Sequence, residues 1–318
     1  MVVRKFNYKR FAIVLAVFIA IIVGIVYGIS SLVNDIKYKK TYEYKFSELG
    51  YTKEEIKFLT DKFSNEKLEL LLKREYNTDI IDFAKEKFFI YNNLDKYIEY
   101  RKESDTEDLT KIVAIINTQA NVEWLDVSYE TDTSKNEEML VNRLYGLSKD
   151  YEPEDLISAP LDYSLAGVKI SQTAMDAVIP LIEEGKKNGY TFILTSGYRS
   201  YKEQEKLYNS YADSYGMSEA DEVVAKPGHS EYQTGLSFDL EPYGVVIQNA
   251  KESEQYLWLR ENAYKFGFIF RFDENKKDIT LFPSYTWRLR YVGKTAASLI
   301  YSEQICYEEY YAYFVEGK

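Results

Sequence analysis

The sequence predicts a three-part chain whose last and largest part is an α+β domain. Three observations carry this: an unbroken apolar run near the N terminus, a polar middle region with helical spacing, and β-rich runs alternating with amphipathic ones from about Met139 onward. At 318 residues there is room for about two globular units plus extras. A hydrophobic content of 46% with 29% charged residues fits a chain that mostly folds.

Residues 11–33 (FAIVLAVFIAIIVGIVYGISSLV) contain no charge. At about 1.5 Å per residue a helix of this length crosses a bilayer core of roughly 30 Å. A cleaved signal peptide has an apolar region of only about 7–15 residues, and no small-x-small site follows here, so an uncleaved transmembrane anchor is expected. Arg4, Lys5, Lys9 and Arg10 precede the run, and Lys37, Lys39, Lys40 and Lys45 follow it, which leaves the positive-inside count nearly balanced. All the foldable mass follows the anchor, and long domains translocate largely regardless of charge. Residues 1–10 are therefore expected in the cytoplasm and the rest outside, an orientation resting mostly on the resemblance described below.

Residues 34–135 read as a helical stalk or spacer. Thr52 and Glu55 have capping-box spacing and open a helix through about Phe63. Ser64 or Asn65 caps the next, with Leu68, Leu71 and Leu72 on one face. Further helices are expected near 80–89 and 94–100, a loop at 102–108, a strand at Lys111–Ile116, and a polar linker or long loop at Tyr129–Glu137. None of this carries a catalytic signature.

In residues 136–318, Thr173–Lys187 is amphipathic, with Ala174, Val178, Ile179 and Ile182 at helical spacing. Tyr190–Thr195 is a β-rich run leading into the SGYRS turn at 196–200, where Ser200 and Glu203 form another capping-box pair. The strand GLSFDL at 235–240 alternates, placing Leu236, Phe238 and Leu240 on one face and Ser237 and Asp239 on the other. Tyr256–Gly267 reads as a helix ended by Gly. The strand WRLRY at 287–291 puts Arg288 and Arg290 on one face.

A net charge of −11 argues against nucleic-acid binding, which needs a basic face. The single cysteine, Cys306, rules out an internal disulfide, and the single histidine, His229, limits any imidazole metal cage.

The pieces LVNRLYGL, DYEPEDL, TSGYRSYKEQ, AKPGHSEYQTGLSFDL, WLRENAYKFGFIFRF and WRLRYVG, spread over 139–293, resemble in order the VanY-type D-alanyl-D-alanine carboxypeptidases. The resemblance implies a small zinc-carboxypeptidase-like domain with a central antiparallel sheet and a zinc cleft, at the cell surface. That family binds zinc through the His and Asp of a Ser-x-His-x-x-Gly-x-Ala-x-Asp stretch and a second His after a late Trp, with a Glu before that Trp as general base. Three such ligands leave one zinc position for water, whose pKa the ion lowers to about 7.

In the stretch 230–239 here, Ser230, Gly235 and Asp239 match, whereas Tyr232 stands at the His position and Ser237 at the Ala. In Tyr285-Thr286-Trp287-Arg288 the Trp matches, Arg288 replaces the second His, and Tyr285 replaces the Glu. Tyr232, Tyr285 and Arg288 are thus degenerate positions, so no zinc and no catalytic residue are expected. His229 is three positions from the ligand place, too far for a bond of about 2.0–2.1 Å. Arg288 is expected to pair with Asp239 where the relatives hold zinc. Arg199 and Ser230 match family positions that hold a peptide's terminal carboxylate, Gln204 matches a position on the following helix, and Asp239 completes the expected ligand-binding set. The resulting expectation is a single-pass, cell-surface pseudopeptidase binding peptidoglycan stem peptide or a cell-envelope protein. Its rivals are an active D,D- or L,D-carboxypeptidase with an atypical metal site, and a structural or assembly protein acting through the helical region.

Overall fold

The structure, a computed structural model, describes residues 8–122, 128–244 and 249–316. The chain divides into two compact units, residues 1–85 and 86–318.

The first unit opens with α1 (Tyr8–Lys39), whose large apolar side chains, among them Phe11, Phe18, Ile22, Ile25 and Leu32, are exposed. The stretch Phe11–Lys39, with a mean hydropathy of 3.0, is long and apolar enough to cross a membrane, a test that signal sequences also pass. Four short helices follow: α2 (Tyr42–Glu48), α3 (Lys53–Lys62), α4 (Asn65–Leu71) and α5 (Thr78–Lys85). The capping box forms as its spacing predicts: Glu55 N–H donates to Thr52 Oγ1 at 3.3 Å and Thr52 N–H to Glu55 Oε2 at 2.8 Å. Ser64 caps α4, burying Leu68 and Leu71. The helix expected near 80–89 ends four residues sooner, at Lys85.

The second unit begins with α6 (Leu94–Glu103) and α7 (Leu109–Asn117). The strand expected at Lys111–Ile116 is therefore a helix. Its β-branched run hid the helix start: Asp108 accepts the Lys111 N–H at 3.1 Å as N-cap, and five consecutive side chains from Ile112 to Ile116 are buried. Ala114 and Ile115 pack with Ile279 and Cys306, and Phe88 stacks on Tyr313 at 4.1 Å, so both helices belong to this unit.

Tyr129–Glu137 is not free linker. β1 (Tyr129–Glu130) pairs in parallel with β2 (Tyr145–Gly146), and a one-turn helical segment spans Thr133–Glu138. Thr131 Oγ1, buried, fixes the segment by donating to Leu140 O at 2.9 Å. β3 (Leu156–Ser158) pairs antiparallel with β4 (Lys169–Ser171).

The central sheet is four-stranded and antiparallel, ordered β5 (Phe192–Ser196), β6 (Ser237–Pro242), β8 (Arg288–Tyr291) and β7 (Phe268–Phe270). One face takes α8 (Gln172–Lys187), whose Ala174, Val178, Leu181 and Ile182 join Phe192, Leu194, Phe238, Leu240 and Leu289 in the main core. Each such side chain stabilises the fold by about 1.5–3 kcal/mol relative to exposure. α9 (Tyr201–Tyr215) starts at the Ser200–Glu203 capping box and is followed by α10 (Met217–Val223). α11 (Glu254–Asn262) ends earlier than the sequence suggests, passing into a 3₁₀ turn at 263–266 before Gly267 takes its left-handed conformation, φ +94°. Finally come α12 (Lys277–Thr280), α13 (Lys294–Glu303) and α14 (Tyr307–Tyr310).

Candidate functional site

The sheet's second face builds the site. In the β6–β8 register Asp239 lies opposite Arg288 and Ser237 opposite Arg290. Period-two alternation therefore sends two acceptor-bearing side chains and two guanidinium groups to the same face, while Phe238 and Leu289 enter the core.

Arg288 Nε donates to Asp239 Oδ1 at 3.1 Å, and its Nη2 donates to the Tyr232 hydroxyl at 2.6 Å. Tyr232 in turn donates to Asp239 Oδ2 at 2.6 Å, where Ser196 Oγ also donates at 2.7 Å. The Arg288 guanidinium sits 4.4 Å from the ring centre of Tyr232 and 4.0 Å from that of Tyr285, so two aromatic faces flank a cation already hydrogen-bonded in its plane. Tyr285 is anchored by its hydroxyl, which donates to Val223 O at 2.9 Å.

The electrostatics follow from burial and this pairing. Burial works to raise the Asp239 pKa, but Arg288 and the hydrogen bonds from Tyr232, Ser196 and Arg288 outweigh it and hold the carboxyl below its ordinary value. Burial, aided by Asp239, pushes the Tyr232 hydroxyl up to about 12, so it stays a neutral donor. Arg288, for which burial alone would lower the pKa, is shifted upward by Tyr232 and Asp239.

Above this cluster is a cleft of about 220 Å³. Arg199, Gln204, Ser230, Tyr232, Tyr285 and Arg288 all line it, so the residues singled out from sequence converge, with Asp239 beneath them. Phe272, Phe282, Leu207 and Val223 supply apolar wall. Arg199 is aimed by two contacts: its Nη1 donates to Gln204 Oε1 at 3.0 Å, and its guanidinium lies 4.7 Å from the Tyr232 ring centre. Gln204 is fixed by donating to Ala225 O at 2.6 Å. The turn that carries Arg199 rides on β4, where Tyr198 N–H donates to Lys169 O at 2.7 Å and a side chain at Gly197 would collide with that same carbonyl oxygen. His229 lines the cleft wall with Nδ1 2.7 Å from Asn142 O, and burial lowers its pKa. Among the described residues no group of three or more His, Cys, Asp or Glu side chains is placed to hold a metal ion.

Sequence reasoning missed two parts of the site. Ser196 is the first residue of the SGYRS turn, and only the β5–β6 pairing reveals that it reaches Asp239. The other is a buried ionic layer. Arg271, fully buried, bonds Glu231 Oε1 at 2.6 Å and grips Glu308 of α14 at 3.0 and 2.6 Å. Arg290 lies 3.4 Å from the same Glu231 oxygen, and Ser237 donates to its other oxygen at 2.8 Å. The run of alternating arginines in WRLRY is the one local signal for this layer; its partners are remote in sequence.

The fold and site define an α+β domain of the small carboxypeptidase type, with a polar cleft over the sheet face. Comparisons with known proteins agree. The VanY family model, D-alanyl-D-alanine carboxypeptidase, matches residues 167–294. YodJ of Bacillus subtilis (strain 168), a protein named as a carboxypeptidase, is 36% identical over 224 residues, covering 65% of this chain and 82% of that one. A D-alanyl-D-alanine carboxypeptidase of Enterococcus faecalis (strain ATCC 700802 / V583) is 33% identical over 181 residues, covering 54% of this chain and 64% of the relative. Among solved structures, the LdcB LD-carboxypeptidase, described for its peptidoglycan recognition, superposes with a TM-score of 0.55 at 37% identity, over 59% of this chain and 91% of its own. The chain belongs to the VanY-type D-alanyl-D-alanine carboxypeptidase family.

Proposed function

We propose that this family member binds, without hydrolysing, a peptide that ends in a free carboxylate, of the kind found in peptidoglycan stems. α1 is the anchor, and the cleft faces the cell exterior. The observation that carries this reading is the Arg288 guanidinium, bonded to Asp239 and flanked by Tyr232 and Tyr285. A zinc hydrolase needs three nitrogen or oxygen ligands about 2.0–2.1 Å from the ion. Here the donors at the corresponding positions are one carboxylate, one neutral phenol and a guanidinium that stays protonated at physiological pH. These residues do not fit zinc, and Tyr285 is no general base.

Retention of binding is supported by the charge balance. Asp239 neutralises Arg288, and Glu231 is engaged by Arg271 and Arg290. Arg199 has no carboxylate within ion-pair distance among the described residues, so the cleft keeps one uncompensated guanidinium, a fork suited to a carboxylate.

The test is a paired measurement on the full chain in detergent: metal content, and calorimetric titration with a peptide ending in D-Ala-D-Ala. Expected are sub-stoichiometric zinc, no chelator-sensitive release of D-Ala, and binding that Arg199→Ala weakens at least tenfold. Stoichiometric zinc with chelator-sensitive hydrolysis would establish the enzyme reading instead.

A further inference from the structure

Arg199 and Arg288 both reach the cleft, yet they offer different chemistry. Arg199 spends one N–H on Gln204. Its Nε and Nη2 have no partner among the described residues, and no carboxylate neutralises it. Arg288 spends Nε on Asp239 and Nη2 on Tyr232, which leaves Nη1 without a partner among the described residues. Its charge is compensated by Asp239, and its side chain is only 16% exposed. Two rings and two hydrogen bonds fix its orientation, so little freedom is lost when Nη1 meets a ligand.

An uncompensated guanidinium with two open donors favours a carboxylate. A compensated guanidinium with a single open donor favours a neutral acceptor, because a second anion beside Asp239 would meet like charge. Both groups lie against the same tyrosine, Arg199 at 4.7 Å and Arg288 at 4.4 Å from its ring centre, and both line the same cleft, where one ligand can meet both.

We infer that Arg288 is a specificity-determining donor that reads the carbonyl oxygen of the ligand's last peptide bond while Arg199 holds the terminal carboxylate. The ligand class is therefore a peptide with a free C-terminal carboxylate and an amide carbonyl one residue in from it. The replacement of a zinc ligand by arginine thus makes the old scissile bond a recognition element. This inference rests on the cleft binding a carboxylate-terminated peptide.

The main experiment varies the ligand against the wild-type protein. Wild-type full chain in detergent is titrated with a peptide ending in D-Ala-D-Ala, its ester analogue and its trans-alkene analogue. The ester keeps the last carbonyl but lacks the N–H; the alkene lacks both. The ester should bind within about threefold of the amide. The alkene should bind roughly 10- to 100-fold more weakly, the size of one hydrogen bond to a charged group. In Arg288→Lys the ester and alkene should bind within about threefold of each other, since the fork that fixes the donor is gone.

Equal wild-type affinity for ester and alkene overturns the role of Arg288 while leaving the cleft reading intact, provided Arg199→Ala still weakens both. Failure of wild type to bind any member of the series overturns the cleft reading beneath it.

Discussion

The proposed replacement of a metal by a guanidinium can be run backwards. In the double variant Tyr232→His/Arg288→His, Asp239 loses its cation and two imidazoles take the positions where the family carries zinc ligands. The Asp239 and Arg288 side chains are 23% and 16% exposed, so the pair lies between a surface ion pair, worth about 0.2–1 kcal/mol, and a fully buried one, whose breaking costs about 3–5 kcal/mol. A loss of about 1–3 kcal/mol is expected for the metal-free variant, or a melting temperature lower by about 2–12 °C for a unit of this size. Zinc at a hundred times its dissociation constant should return about 2.7 kcal/mol. The assay is thermal unfolding of wild type and variant, each with zinc and with chelator. Only the variant should show a zinc-dependent rise, and Asp239→Ala in the variant background should abolish it. A zinc-dependent rise of the same size in wild type would refute the reasoning, because the native cluster would then already accept the metal. A variant that binds no zinc would show that Tyr232 and Arg288 do not stand at ligand positions.

Three further outcomes follow from the same geometry. Arg271→Met leaves Glu308, 3% exposed, without its cation and Glu231, 4% exposed, with Arg290 alone, and should cost about 3–5 kcal/mol in a urea titration; a loss below about 1 kcal/mol would mean that the layer is not dry. Asp239 has a folded pKa below its unfolded value of about 3.9, so its contribution is fully present above that value and disappears as the pH falls through the folded pKa; the acid limb of stability below about pH 4 should flatten in Asp239→Asn, with unchanged slope above pH 5. Gly197→Ala drives a methyl into the Lys169 carbonyl and should cost about 1–3 kcal/mol while displacing Arg199, read as weaker peptide binding than in the wild type.

How much of this is written locally explains what could be read in advance. The capping pairs Thr52–Glu55 and Ser200–Glu203 act over three residues and fix helix starts with no help from the rest of the fold. GLSFDL and WRLRY alternate with period two, so the faces of Asp239, Arg288 and Arg290 follow from sequence alone. Lys111–Ile116 misleads because its β-branched residues suit a buried strand as well as a buried helix; Asp108 and the packing of Ala114 and Ile115 decide for helix. The Arg271–Glu231–Arg290–Glu308 layer has no local signature beyond the arginines of WRLRY, since its partners meet only when α14 packs against the loop carrying Tyr232.

That layer and the cleft are two storeys of one arrangement. Ser237 and Asp239 on β6, and Arg290 and Arg288 on β8, are consecutive inward positions of paired strands. Glu231 below and Tyr232 above are neighbours in the chain, with Ser237 bonding the first and Asp239 the second. Asp239, about three-quarters withdrawn from water, demands a cation whatever the chemistry of the cleft. In a zinc-bearing relative the ion meets that demand. In this chain the facing strand position meets it, and the antiparallel register places an arginine there directly opposite Asp239. On the proposed reading, Arg288 supplies the cation that Asp239 requires while the sheet, the SGYRS turn and the open donors of Arg199 are kept, and binding without hydrolysis follows from that arrangement.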